Sequence, residues 1–164
     1  MLYSKSIKVK TSKMGYYMQP TYYNKIFINF SENDRQVFII NCNIDILPEI
    51  PLQLLELYCC GNNITEIPNL PNGMKCISAS INNIQELNKY IPLTLQYLYF
   101  SDNPLKYISH NNLLVFKKIF EKTQGLYNFS LHNTPFSTAN IPHNNNNNNN
   151  NNYNYKLFFD SINN

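Results

Sequence analysis

Four cysteines, Cys42, Cys59, Cys60 and Cys76, and three histidines, His110, His132 and His143, are the side chains from which thiol catalysis or zinc binding would have to be assembled. A cysteine enzyme needs a thiolate, a base and an orienting group at one point. Nothing in the spacing of these residues marks a triad, and His143 adjoins an unbroken run of asparagines at 144–152. No two cysteines form a CxxC pair. Cys42 and Cys59 read as small core residues. Cys60 and Cys76 fall on outward strand positions about 13 Å apart at a strand rise of about 3.3 Å, too far for one zinc ion. Only four glycines occur, and Gly61, Gly73 and Gly125 are accounted for as turns or a helix stop, so there is no phosphate-cradling loop. The sequence is therefore read as non-enzymatic, with no catalytic residue, metal or cofactor.

Composition narrows the partners. The 164 residues are 43% hydrophobic, enough to build one core, but only 14% charged with a formal balance of +3. That field is too weak to make nucleic acid the expected partner. The lysine-containing first residues lack an apolar run of signal-peptide length, and no stretch reaches the roughly 18 apolar residues of a membrane span. The expectation is a soluble, unsecreted, cytoplasmic chain with no membrane contact and four free thiols. Asn-x-Ser/Thr triplets at Asn29, Asn63 and Asn128 are expected by chance in so Asn-rich a chain.

What must position any site is a repeat. Asp34, Leu54, Met74 and Leu95 open units of 20, 20 and 21 residues. Counting each as position 1, position 4 is Val37, Leu57, Ile77 and Leu98, and position 6 is Ile39, Cys59, Ala79 and Phe100. Position 11 is Ile44, Ile64, Ile84 and Leu105, and position 14 is Leu47, Ile67, Leu87 and Ile108. Alternation at 4 and 6 puts two side chains of a short strand on one face, and 11 and 14 fill the interior from the other wall. Position 9 holds Cys42, Asn62, Asn82 and Asn103, a polar or thiol column inside an apolar frame. The second half of each unit carries proline, in Leu47-Pro48-Glu49-Ile50-Pro51, Ile67-Pro68-Asn69-Leu70-Pro71 and Tyr90-Ile91-Pro92, which predicts polyproline-II or irregular backbone in place of helix.

This LxxLxLxxNxL pattern over residues 34–110 resembles the leucine-rich-repeat family, and its LPxLP half-units resemble the short repeats of bacterial effector proteins. The resemblance implies an α/β repeat fold, mostly β: a leucine-rich-repeat solenoid with a short parallel sheet, a polyproline-II or irregular convex side and a C-terminal capping helix. It also implies a structural ladder in which Cys42, Asn62, Asn82 and Asn103 point inward and bond loop backbone groups otherwise buried unpaired. Such effectors often carry a ubiquitin-ligase domain with a catalytic CxD cysteine, but no cysteine follows residue 76.

Four segments are expected: an N-terminal cap or strand segment at 1–33, four repeats at 34–110, a capping helix and degenerate terminal repeat at 111–140, and an Asn-rich low-complexity tail at 141–164. Within the first, Ile26–Phe30 reads as a strand. Asn111 or Asn112 is expected to cap a helix with Leu113, Leu114, Phe116, Ile119 and Phe120 inward, Lys117, Lys118 and Lys122 in water, and Gly125 as its stop. Leu126, Phe129 and Leu131 reproduce positions 1, 4 and 6. The apolar Leu157, Phe158 and Phe159 suggest that the tail docks back on the core.

Positions 3, 5 and 7 would face the concave side of a horseshoe. The residues expected to bind a protein partner there are Phe38, Tyr58, Ser78, Tyr97 and Tyr99, because exposed aromatics bury large area with few rotors to freeze. The alternatives are the substrate-recognition part of a ubiquitin-ligase-like system, or a repeat relic without a present role. The Asn-, Ile- and Tyr-rich composition resembles that of an AT-rich source such as an amoebal giant virus or a social amoeba; a viral origin would place the chain in the host cell cytoplasm.

Overall fold

A computed structural model describes residues 34–122, 129–142 and 154–162. In chain order its strands are β1 (Gln36–Phe38), β2 (Glu56–Tyr58), β3 (Cys76–Ser78), β4 (Glu86–Leu87), β5 (Tyr97–Tyr99), β6 (Tyr107–Ile108) and β7 (Phe129–Ser130). Its helices are α1 (His110–Lys122), α2 (Pro135–Asn140) and α3 (Tyr155–Ser161). The order β1-β2-β3-β5-β7 forms one parallel sheet, and the register aligns Val37, Leu57, Ile77, Leu98 and Phe129 in a single row. A sheet whose first four strands recur every 20 or 21 residues in one register, with the fifth joining after 31, is a parallel-strand solenoid, mostly β. The interior columns close completely: Ile39, Cys59, Ala79 and Phe100 are all 0% exposed, as are Leu57, Ile77 and Leu98. Between turns, the amide of position 6 donates to the position-5 carbonyl of the next unit, as Ile39 N to Tyr58 O at 2.7 Å and Cys59 N to Ser78 O at 2.7 Å.

The outer wall differs from turn to turn. Each of the first three units ends in a proline-led turn: Leu54 N to Pro51 O at 3.0 Å, Met74 N to Pro71 O at 3.0 Å, and Leu95 N to Pro92 O at 3.3 Å. The third unit fits its additional residue between Leu87 and Pro92 without displacing the buried row of Ile50, Leu70 and Ile91. This wall is not wholly irregular, because β4 and β6 pair in parallel with Leu87 opposite Ile108. Proline explains why the second unit makes no such bond to the first. Position 15 is Pro48 and Pro68 in the first two units, without an N–H to donate, but Ser109 in the fourth, whose amide donates to Leu87 O at 3.0 Å.

At the C-terminal end, the cap of α1 lies two or three residues before the expected Asn111 or Asn112. Ser109 caps it, its Oγ accepting the Asn112 amide at 3.3 Å. Asn112 is buried instead, and its Nδ2 donates to Leu87 O at 2.9 Å and Lys89 O at 2.8 Å, two carbonyls of the lengthened stretch. Phe116 and Ile119 face the core. Lys118 and Lys122 are exposed, but Lys117, expected in water, is half-buried and donates to Ile162 O at 2.9 Å because the segment containing α3 packs beside it.

β7 and the fully buried Leu131 continue the row of turns. Among the described residues no strand follows β7 in this sheet, and α3 covers that end. Phe158 and Phe159 are buried, and the Phe159 ring lies 5.6 Å from that of Phe129. Tyr155 Oη accepts the Leu131 amide at 2.9 Å, standing in for the strand carbonyl used by that position in earlier turns. The expected strand at 26–30, the whole of 1–33, Gly125, Leu126 and the run at 144–152 lie outside the described residues.

Candidate functional site

The loop leaving each strand holds the sheet in shape, and the position-9 side chains sit at its centre. Asn62, Asn82 and Asn103 are buried. Asn82 Nδ2 donates to Cys59 O at 2.9 Å, Ala79 O at 3.0 Å and Ser80 O at 3.2 Å, while its Oδ1 accepts the Ile64 amide at 3.0 Å. Asn62 and Asn103 repeat this one unit earlier and later, with Oδ1 accepting from Cys42 and Ile44 in one case and Ile84 in the other. One amide thus satisfies carbonyls and amides of two successive turns that are shut off from water. Cys42 makes a reduced version, its Sγ donating to Ile40 O at 3.3 Å. In the degenerate terminal unit, position 9 is Thr134, whose Oγ1 donates to Leu131 O at 2.9 Å and which also caps α2.

A second column went unread in the sequence. Position 8 is left-handed in every described unit: Asn41 (φ 55°), Gly61 (68°), Ile81 (58°), Asp102 (56°) and Asn133 (53°). Four of these five are the residue types that tolerate positive φ, which was the available signal. Ile81 is the exception, β-branched and 60% exposed.

On the open face of the sheet, Tyr58, Ser78 and Tyr99 are aligned across β2, β3 and β5, with Phe38 beside Tyr58 on β1. The four are half-buried, whereas Tyr97 is 41% exposed. Tyr58 is braced: its ring stacks on Phe38 at 4.5 Å with planes 3° apart, and its hydroxyl donates to Glu56 Oε2 at 2.9 Å. Gln36 Nε2 donates to that same oxygen at 2.9 Å. Cys60 Sγ lies 3.0 Å from Ser78 Oγ, and Ser101 Oγ lies 2.6 Å from Ser130 Oγ, carrying the row of small polar groups to β7. The five predicted partner-binding residues therefore lie on one continuous face. Gln36 and Glu56, at the concave-facing position 3 of their units, hold Tyr58 in place.

Cys76 departs from expectation. Although it occupies an outward strand position, it is only 3% exposed, in register between Glu56 and Tyr97 and beside the Tyr58 ring. Burial pushes its thiol up to about 11; the Tyr58 hydrogen bond pulls the other way, and Glu56 and Cys60 add to the rise. Burial likewise raises Cys59, Cys42, Tyr58 and Tyr99 above their ordinary values. At neutral pH these groups stay protonated, and a protonated thiol is a poor nucleophile and metal ligand. What the face offers is aromatic rings, hydroxyls and one carboxylate, that of Glu56. No group of three or more metal-ligating side chains occurs among the described residues.

Comparison of the chain with protein-family models, with curated proteins and with solved structures found no match in any of the three.

Proposed function

We propose that this chain is a leucine-rich-repeat protein and a non-enzymatic, cytoplasmic binding module whose protein partner lies across the concave face of the sheet. The observation that carries the proposal is the row Phe38, Tyr58, Ser78 and Tyr99, with Tyr97 exposed beside it, set on a backbone whose loops are tied turn to turn. Rings that are already oriented lose little entropy on contact, and tyrosine pairs a large apolar area with a hydroxyl. Tyr58 and Tyr99, two strands apart, stand about 9–10 Å from each other at the usual strand spacing. Both can contact one partner segment, with Ser78 leaving a shallow gap between them. The repeat assignment draws support from the 20-residue period, the buried positions 4, 6, 11 and 14, and the amide-bearing position 9.

The test is capture of a partner on the immobilised full chain, followed by titration of that partner. Tyr97→Ala and Tyr99→Ala should each weaken it by about 1–3 kcal/mol with an unchanged melting curve. Tyr107→Ala, at an exposed residue of β6 on the outer wall, should bind as wild type does. Undiminished binding by both face variants would end the proposal.

A further inference from the structure

The outer wall of the first turn carries an apolar surface that nothing on the open face explains. Ile46 and Leu52 are 74% and 86% exposed, and both line one groove of about 700 Å³ between the first and second units. Asp45, Glu49, Glu66 and Lys89 line it too. Lys89 Nζ is taken up by Glu66 at 3.0 Å, and neither Asp45 nor Glu49 has an ion-pair partner among the described residues. The repeat does not demand this arrangement, since the second unit has Glu66 where the first has Ile46, and Asn72 where it has Leu52. The first turn thus exposes two aliphatic side chains that its neighbour replaces with polar ones, beside a net excess of carboxylates.

We propose that this groove is a second docking site, for a peptide segment presenting an aliphatic side chain next to a lysine or arginine. The aliphatic group would be buried against Ile46 and Leu52, and the cation would meet Asp45 and Glu49. A groove of this volume is in the usual range for a small ligand or a few side chains. The negative rim disfavours phosphates, nucleic acid and acidic segments. Positions 12–19 of each unit lie on the opposite wall from positions 3, 5 and 7, so this site stands or falls independently of the concave one.

The probe is a fluorescein-labelled peptide of about six alternating leucines and lysines, a length suited to such a groove, titrated with the full chain by fluorescence anisotropy. Its leucine–glutamate counterpart is the control. Saturable binding is expected for the lysine peptide alone. The double variant Asp45→Asn/Glu49→Gln should weaken it about tenfold, and raised salt should do the same, as exposed charges require. Ile46→Ser should weaken it about fivefold through lost apolar burial. These residues are exposed, so the variants should melt as wild type does, and Tyr99→Ala should bind the peptide normally. No saturable binding, equal binding of the glutamate peptide, or loss with Tyr99→Ala but not with the groove variants would each overturn the proposal.

Discussion

Where the chain leaves its strands, the second, third and fourth turns repeat one another closely: Nδ2 of Asn62, Asn82 and Asn103 reaches the carbonyl three residues earlier at 3.0 Å in every case. The outer wall has no such uniformity. Two units carry proline at position 15, one holds an additional residue repaired by Asn112, and among the described residues only β4 and β6 pair there. The loops bury backbone groups that water cannot reach, so each turn must supply the same partner. The wall faces solvent, and its polar groups accept water, proline turns or a neighbouring strand alike.

If that contrast is right, damage should scale with distance from water. The largest effect is expected for Leu98→Asp, which sets a charge in the fully buried row between Ile77 and Phe129. Its cost of several kcal/mol approaches the whole stability of a small domain, and the cooperative melt should disappear. An unchanged melt would mean that this row is not the core.

Next in size, Asn82→Ala should cost about 1–3 kcal/mol in a denaturant titration, because buried carbonyls and the Ile64 amide lose their partner. Asn88→Ala, on the wall and bonded only to the exposed Glu86 carboxylate, should fall within about 0.5 kcal/mol of wild type. Equal losses would erase the contrast between loop and wall.

A sharper version concerns the end of the stack. Tyr155→Phe keeps the ring among Phe120, Phe129 and Phe159 but leaves the buried Leu131 amide without its acceptor, at a cost of about 1–2 kcal/mol. A cost near zero would mean that the aromatic cover alone caps the sheet.

Smaller still, and of opposite sign, Ile81→Asn should stabilise by about 0.5–1 kcal/mol. It relieves a β-branched residue at φ 58° with the residue type already used at Asn41 and Asn133. Loss of stability would mean that the exposed isoleucine packs against something that offsets its strain.

The last effect is confined to alkaline pH. The Cys76 thiol titrates at about 11 in the fold against an ordinary 9.0, so the unfolded chain gives up its proton first. Stability from this group is complete below about pH 9 and is lost as pH rises towards 11. Cys76→Ala should flatten that part of the stability curve; an identical slope in the variant would remove the assignment.

Much of this molecule is local pattern repeated. The 20-residue spacing, the alternation at positions 4 and 6 and the amide column could be read directly, because a parallel solenoid places each residue against its own equivalent one turn away. Identical neighbours make identical demands, and those demands surface as periodicity in the chain. The left-handed column at position 8 was readable in the same way from Asn41, Gly61, Asp102 and Asn133. Contacts between residues that are not equivalents left no such trace. Nothing in the spacing ties Asn112 to Leu87 and Lys89, Tyr155 to Leu131, or Lys117 to Ile162. Nor does it say that Tyr58 would lean on Phe38 and Glu56 and help bury Cys76. Each of these satisfies a group that the repeat leaves over, at an added residue, at the last strand or on the open face. Which side chain is within reach of such a group is decided only when the turns are stacked.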